Sequence, residues 1–185
     1  MDDMIWKKLS SEYLSNHIYF TARRDVCQRP DGTVIDPYFV VELPTAATAF
    51  ALTVDERVLM VRQYRYPIGE VVLETPGGFV DPGESFEEGM KRELLEETGY
   101  AFSHVEYLGK LAANPGVLNN YTEMFLATGG MVRGRQHLDH NEQIELVSFS
   151  IDEIIQLVKE NRIVQSVHAN CIMLALLKLG RMKFS

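Results

Sequence analysis

Residues 13–43 carry a strand-like pattern of apolar and polar positions: the run SNHIYFTARRDVCQ, a turn at RPDG, then the run TVIDPYFVVEL. Asp31-Gly32 between two extended runs is a hairpin signal, because glycine supplies the positive φ that tight turns need. Two further strands are read at residues 46–54 (AATAFALTV) and 58–64 (VLMVRQY), separated by the polar turn Asp55-Glu56-Arg57. The chain is therefore β-rich up to Pro76. There the period changes. Ser85 opens a helix with a capping box, its hydroxyl facing the Glu88 amide. Phe86, Met90 and Leu94 recur at four-residue spacing as the buried stripe of that helix. Gly99 closes it as a left-handed terminator. Strands follow near residues 105–111 and 122–128, then a polar loop over 129–141, a strand over 142–150, and two helices beginning near Ile151 and Ser166. Strands mixed with helices in this order predict an α/β fold in which a mixed sheet is covered by helices on both faces.

Composition narrows the class. A chain of 185 residues, 46% hydrophobic and 24% charged, supports one folded domain with a small appendage. The net charge of -8 argues against general affinity for nucleic acid or for anionic membranes, both of which need clustered Lys and Arg. An anionic substrate would have to be met by local arginines or by metal. MDDMIWKK has no basic region leading into an apolar run, so no secretory signal is read, and CIMLALLKLG is too short to span a bilayer. Cys27 and Cys171 form no CxxC pair and are expected to be buried free thiols in a reducing compartment, hence a cytoplasmic protein.

One segment resists a purely structural reading. GFVDPGESFEEGMKRELLEETGY, residues 78–100, holds six glutamates, five of them on adjacent helical turns where like charges repel. Lys91 and Arg92 cannot neutralise them all. Glu93 and Glu97, four apart, share a face with Glu96 on its flank, and this face is taken to lie opposite the apolar stripe. Such hard oxygen donors suit Mg²⁺, with Mn²⁺ as the alternative. Taken alone, glutamates at this spacing are more often a solvated face. The preceding loop adds weight, since Gly77-Gly78 and Pro82-Gly83 bracket FVD and let the backbone turn tightly and approach a ligand.

The whole segment fits G-x5-E-x7-R-E-U-x-E-E-x-G-U, with U a bulky apolar residue, at Gly78, Glu84, Arg92, Glu93, Leu94, Glu96, Glu97, Gly99 and Tyr100. This is the Nudix box, and the sequence resembles the Nudix hydrolase family. The resemblance implies the α/β/α Nudix sandwich and hydrolysis of a nucleoside diphosphate linked to another moiety. It also implies that Glu93 and Glu97 bind the catalytic metals with Glu96 joining them, and that Arg92 and Glu84 brace the loop against the helix.

VRQYRYPIGEVVLETPGGFVDPGE, upstream and into the box, is similar to the ADP-ribose pyrophosphatase group and the related nucleoside diphosphate sugar hydrolases, whose pattern runs roughly QYR and then E-x-P-A-G. Glu74 opens the second motif and is grouped with the substrate-binding residues. Gly77 stands where the family has an alanine whose carbonyl oxygen is a metal ligand. Pro115, in NPG, matches the proline these enzymes carry past the box, whereas Asn119 replaces a glutamate that many of them have.

By the same resemblance the polar loop before Glu142 carries the general base, with Glu142 the candidate and Glu145 the runner-up. Arg65 of QYR and Arg62 are candidates to contact the diphosphate, the alternative for each being a surface ion pair with Glu56 or Glu70. Trp6 is the first choice for stacking on the base, ahead of Tyr19 and Phe20, and His137 and His140 are read as exposed loop residues. Residues 1–44 are expected to form a strand region that pairs across a two-fold axis, giving a homodimer, and residues 45–185 the hydrolase domain. The substrate implied is a nucleotide sugar, ADP-ribose first and GDP-mannose or a similar compound as the alternative. A sensor that binds without cleaving, a hydrolase of oxidised triphosphates and an RNA decapping enzyme are the competing classes.

Overall fold

The structure, a computed structural model, describes residues 4–17, 20–140 and 142–183. The chain divides into two compact units, one of residues 1–44 with Ala112–Tyr121 and a second of Thr45–Leu111 with residues 122–185.

The first unit is an antiparallel sheet of β1 (Lys7–His17), β2 (Phe20–Gln28) and β3 (Val34–Glu42) in that order. The Asp31-Gly32 hairpin is present, with Gly32 at φ 85 donating its N–H to the Arg29 carbonyl. The extended run read across residues 15–28 is instead broken, because His17 pairs with Phe20 and a separate β1 precedes it. β1 escapes a pattern reading for a physical reason. It is exposed along nearly its whole length, and register shifts at Lys8/Ser10 and Tyr13/Ser15 interrupt any alternation. What holds it is the backbone ladder to β2, together with the Ser11 hydroxyl donating to buried Asp25. Arg23 links Asp25 and Glu42 across the sheet. Val41 exchanges backbone hydrogen bonds with Val117 and Asn119, which ties the 112–121 segment to β3.

The second unit contains β4 (Ala46–Thr53), β5 (Arg57–Arg65), β6 (Glu70–Glu74), β7 (Gly77–Phe79), α1 (Phe86–Thr98), β8 (Tyr100–Ala101), β9 (His104–Leu111), β10 (Thr122–Val132), β11 (Ile144–Ser150), α2 (Ile151–Lys159) and α3 (Ser166–Lys178). The sheet runs β11-β5-β4-β10-β8, with β6 paired to β5, β7 to β4 and β9 to β10. β4 and β10 are parallel and the other pairs antiparallel, so the sheet is mixed. The apolar pattern does not announce the short β6, β7 and β8.

Strand alternation sends neighbouring residues to opposite faces. Phe50, Met60, Met124 and Leu126 meet Ile154 of α2 and Ile172 and Leu176 of α3. Ala47, Ala49, Ala51, Leu59 and Phe125 meet Met90 and Leu94 of α1. Helices therefore cover both faces, as the mixed α/β order leads one to expect. The alanines on the α1 side leave room for that helix to lie close to β4.

Ser85 caps α1 with the full capping box to Glu88, and Gly99 ends it at φ 72. Two expectations about this helix need correction. Phe86 is 44% exposed, so the buried stripe is Met90 and Leu94 without it. The carboxylates do not point away from that stripe either: Glu97 lies seven residues after Met90, two helical turns on and on the same face, and is only 4% exposed. The strand expected over 142–150 begins at Ile144, which leaves Glu142 in the loop. Cys171 is buried and free, while Cys27 is free but half-buried rather than buried.

Candidate active site

The second half of α1 faces the turn between β6 and β7, and the box residues meet there. Glu97 accepts the Gly77 N–H at 2.7 Å. Burial pushes its carboxyl up to about 8, helped by the charges of Glu93, Glu142 and Glu74 and opposed by the Gly77 N–H. Burial likewise raises Glu93, against the pull of Arg92. A Cβ at Gly78 would sit 2.6 Å from the Glu93 carboxyl carbon, so any side chain there would displace the Glu93 carboxylate.

Arg92 is the hub of the exposed side. It reaches Glu84 through Nε at 2.9 Å and Nη2 at 3.0 Å, Glu93 at 2.9 Å, Glu96 at 3.0 Å and the Phe79 carbonyl at 3.1 Å. The fork-shaped guanidinium thus pins the loop before α1 to the helix while neutralising part of its charge. Glu84 is held below the usual carboxylate range, chiefly by that contact.

The polar loop after β10 is laid on the C-terminal end of α1. Arg133 and Gly134 donate their N–H groups to the Gly99 carbonyl, His137 to Glu96, and the Gln136 side chain to Glu97. These bonds satisfy backbone acceptors that a helix end leaves without intrahelical partners. Glu142 closes a tight turn with Asp139, accepting its N–H at 3.0 Å. From there its charge bears on Arg65, Glu93 and Glu97 alike.

Arg65 and Arg62, three apart, leave β5 on opposite faces. Arg65 makes a two-pronged pair with Glu74, at 3.0 and 2.6 Å, and Glu74 is only 2% exposed. Arg62 pairs instead with Glu145, its neighbour across the ladder, at 2.7 Å, which differs from the alternative partners Glu56 and Glu70. The structure thus gathers Glu74, Arg65, Glu93, Glu97 and Glu142, and separates Arg62 and Glu145 from them.

Trp6, 45% exposed, and Pro115 belong to the first unit, where Trp6 stands edge-on to Tyr38. Asn119 accepts the Leu43 N–H at 3.2 Å. Phe20 is exposed, as are His137 and His140, and Tyr19 lies outside the described residues.

Among the described residues no three His, Cys, Asp or Glu side chains stand ready as a complete metal cage. The donor set still fits a hard divalent ion, which takes one or two carboxylates and completes its shell with water and phosphate oxygens. Two neighbouring carboxylates, largely buried and raised chiefly by that burial with nearby carboxylates adding to it, are a place where such an ion would be bound.

Three residues of this region have no local sequence signal. The His168 ring on α3 lies 2.7 Å through Nδ1 from the Thr75 hydroxyl, which is 2.6 Å from the Thr48 hydroxyl.

Residues 42–169 match the NUDIX domain family, and residues 6–41 match the nucleoside diphosphate sugar hydrolase N-terminal domain. The chain belongs to the Nudix family and is a hydrolase of that family, whose members generally need divalent metal ions. It is 34% identical over 128 residues to a methanol dehydrogenase activator of Bacillus methanolicus, covering 69% of each chain. An ADP-ribose pyrophosphatase of Mycobacterium tuberculosis is 32% identical over 164 residues, 88% of this chain and 79% of the relative. One of Bacillus subtilis is 28% identical over 140 residues, 75% and 76% of the two chains. The crystal structure of an ADP compounds hydrolase superposes with a TM-score of 0.83 at 21% identity, over 96% of this chain and 97% of that one, which establishes the shared fold. Among the described residues no helix is long and apolar enough to cross a membrane.

Proposed function

We propose that the chain hydrolyses the diphosphate bond of a nucleoside diphosphate sugar, ADP-ribose foremost, releasing a nucleoside monophosphate and a sugar phosphate. The observation that carries this reading is the Glu93–Glu97 pair, half-buried and buried in turn, set beside the Arg65–Glu74 pair and within electrostatic reach of Glu142. The two related ADP-ribose pyrophosphatases and the match of the N-terminal segment support the substrate class.

In this reading Glu93, Glu97 and the Gly77 carbonyl hold Mg²⁺, with Glu96 at the edge of the set. A bound divalent ion would screen the diphosphate and lower the pKa of a coordinated water. Glu142 takes the proton of the attacking water, from a loop that the end of α1 holds in place. Arg92 and Glu84 keep the box loop and α1 in register. Arg65, partly exposed and oriented by Glu74, offers its remaining N–H groups to the diphosphate. Arg62, engaged with Glu145, is the weaker candidate. Trp6 and Pro115, of the first unit, are substrate-contact candidates on the family resemblance alone.

Residues 1–44 serve dimerisation and residues 45–185 the chemistry. Exposed apolar side chains on the N-terminal sheet, among them Leu9, Leu14, Phe20 and Phe39, support a homodimer, and the free thiols of Cys27 and Cys171 support a reducing, cytoplasmic location. Light scattering at micromolar concentration tests the dimer, which a monomer would refute.

The deciding experiment incubates the protein and Mg²⁺ with ADP-ribose, GDP-mannose, nucleoside triphosphates and dinucleotides. AMP and ribose 5-phosphate released faster than products of the others support ADP-ribose. Preference for GDP-mannose would move the assignment within the class, and cleavage of triphosphates alone would overturn it.

A further inference from the structure

We infer that His168 is a positioning residue for the carboxylate site: from α3, on the other face of the sheet from α1, it fixes the turn that aims Glu97 and stands beside the carboxylate that aims Arg65. Thr75 and Pro76 connect β6 to β7, with Glu74 immediately before them and Gly77 immediately after. The proline confines Thr75 to an extended backbone and has no N–H of its own to anchor the turn. Anchoring comes from the side. The Thr75 hydroxyl lies 2.7 Å from His168 Nδ1 and 2.6 Å from the Thr48 hydroxyl, and the Pro76 carbonyl accepts the Ala49 N–H at 3.0 Å. One residue further on, the Gly77 N–H holds Glu97 at 2.7 Å.

The other ring nitrogen extends the same chain. Nε2 lies 3.8 Å from a Glu74 oxygen, and Glu74 carries Arg65 on two bonds. That gap is longer than a hydrogen bond, so Nε2 faces Glu74 only electrostatically, and the direct bond of the ring is the one between Nδ1 and the Thr75 hydroxyl. Burial holds the ring neutral, its pKa pushed down to about 4. A neutral imidazole can therefore bond the Thr75 hydroxyl while its other nitrogen stands beside Glu74. Phenylalanine fills the space and addresses neither, whereas asparagine places an amide near the position of Nδ1 and can keep the Thr75 bond.

This inference rests on the carboxylate pair being the metal site, and it is tested without presuming the substrate. Mn²⁺ binding is measured by electron paramagnetic resonance for the wild type, His168→Phe, His168→Asn and the near-isosteric Thr75→Val. The same proteins are assayed with whichever nucleotide sugar the wild type cleaves best. A wild type that binds Mn²⁺ but cleaves no nucleotide sugar would count against the proposed function alone. Positioning predicts that His168→Phe and Thr75→Val each weaken Mn²⁺ binding and raise half-saturating Mg²⁺ by about tenfold, with KM also raised, and that His168→Asn restores most of the metal affinity. KM and metal half-saturation do not depend on how much of a preparation is folded. If both variants kept wild-type values of these and lost only kcat in proportion to folded protein, the inference would be overturned.

Discussion

Gly77→Ala separates what this structure requires from what the family pattern allows, since relatives of the resembling group carry alanine there. A Cβ on Gly77 would lie 2.2 Å from the Ala47 carbonyl oxygen and 2.7 Å from Thr48 Cα, at φ 155. Both obstacles are backbone atoms of β4, which is buried on both faces, and Gly77 is in register with Thr48. No rotamer change can relieve the clash, so β7 must move away from β4. Overpacking of this kind costs about 1–3 kcal/mol, and a positive φ at a residue with a side chain about 1–3 kcal/mol more. A loss of roughly 2–6 kcal/mol lowers Tm by roughly 5–20 °C for a domain of this size. The displaced amide also releases Glu97, so half-saturating Mg²⁺ rises. Thermal melts with and without Mg²⁺, together with a Mg²⁺ titration of activity, measure both effects. A Gly77→Ala protein with the wild-type Tm and the wild-type Mg²⁺ requirement would refute the reasoning, and the Ala47–Gly77 approach along with it.

Glu97→Gln removes a buried carboxylate that three neighbouring charges oppose, so turnover should be abolished while Tm stays level or rises; full activity at saturating Mg²⁺ would contradict the site. Glu142→Gln should lower kcat by about 100- to 10,000-fold with little change in Mg²⁺ requirement, whereas Glu93→Gln should shift that requirement strongly, and steady-state kinetics at varied Mg²⁺ tells the two apart. Arg65→Ala strands buried Glu74 and should destabilise by about 3–5 kcal/mol, while Arg62→Ala breaks an exposed pair with Glu145 and should cost no more than about 1 kcal/mol; equal losses in urea unfolding would be inconsistent with their different surroundings. His168 has its pKa depressed in the fold from 6.5 to about 4, so the unfolded chain binds the proton first. Its contribution to stability is whole above pH 6.5 and is lost as pH falls toward 4. At pH 5 the loss is on the order of 2 kcal/mol, visible as a wild-type urea midpoint that drops between pH 7 and pH 5 by more than that of His168→Gln.

Short-range signals were legible in the sequence, and they were the ones whose physics is local. A capping serine, a terminal glycine and the spacing of Met90 and Leu94 act within a few residues, so α1 could be read without knowing its neighbours. The cores of β4 and β5 declared themselves as apolar runs because both their faces are covered. The box residues and Arg65 could be named from spacing and resemblance, since a site built on one helix and the turn before it keeps its residues close in sequence.

Burial and partnership were decided by the tertiary structure, because both depend on segments far apart along the chain. β1 has almost no buried face and is held by its ladder to β2, so the strand-like pattern read from residue 13 onward caught only its last residues. Helical spacing puts Glu97 on the Met90 side of α1, but it cannot announce the β6–β7 turn that supplies an N–H to the carboxylate there. Arg62 and Arg65 look equivalent in RQYR, yet the strand sends one to Glu145 and the other to buried Glu74. His168 reaches Thr75 from 93 residues away only because α3 and β4 pack on each other. The carboxylates are in the sequence, but the low-dielectric surroundings that raise Glu97 and keep His168 neutral exist only once the sheet and its helices have closed around them.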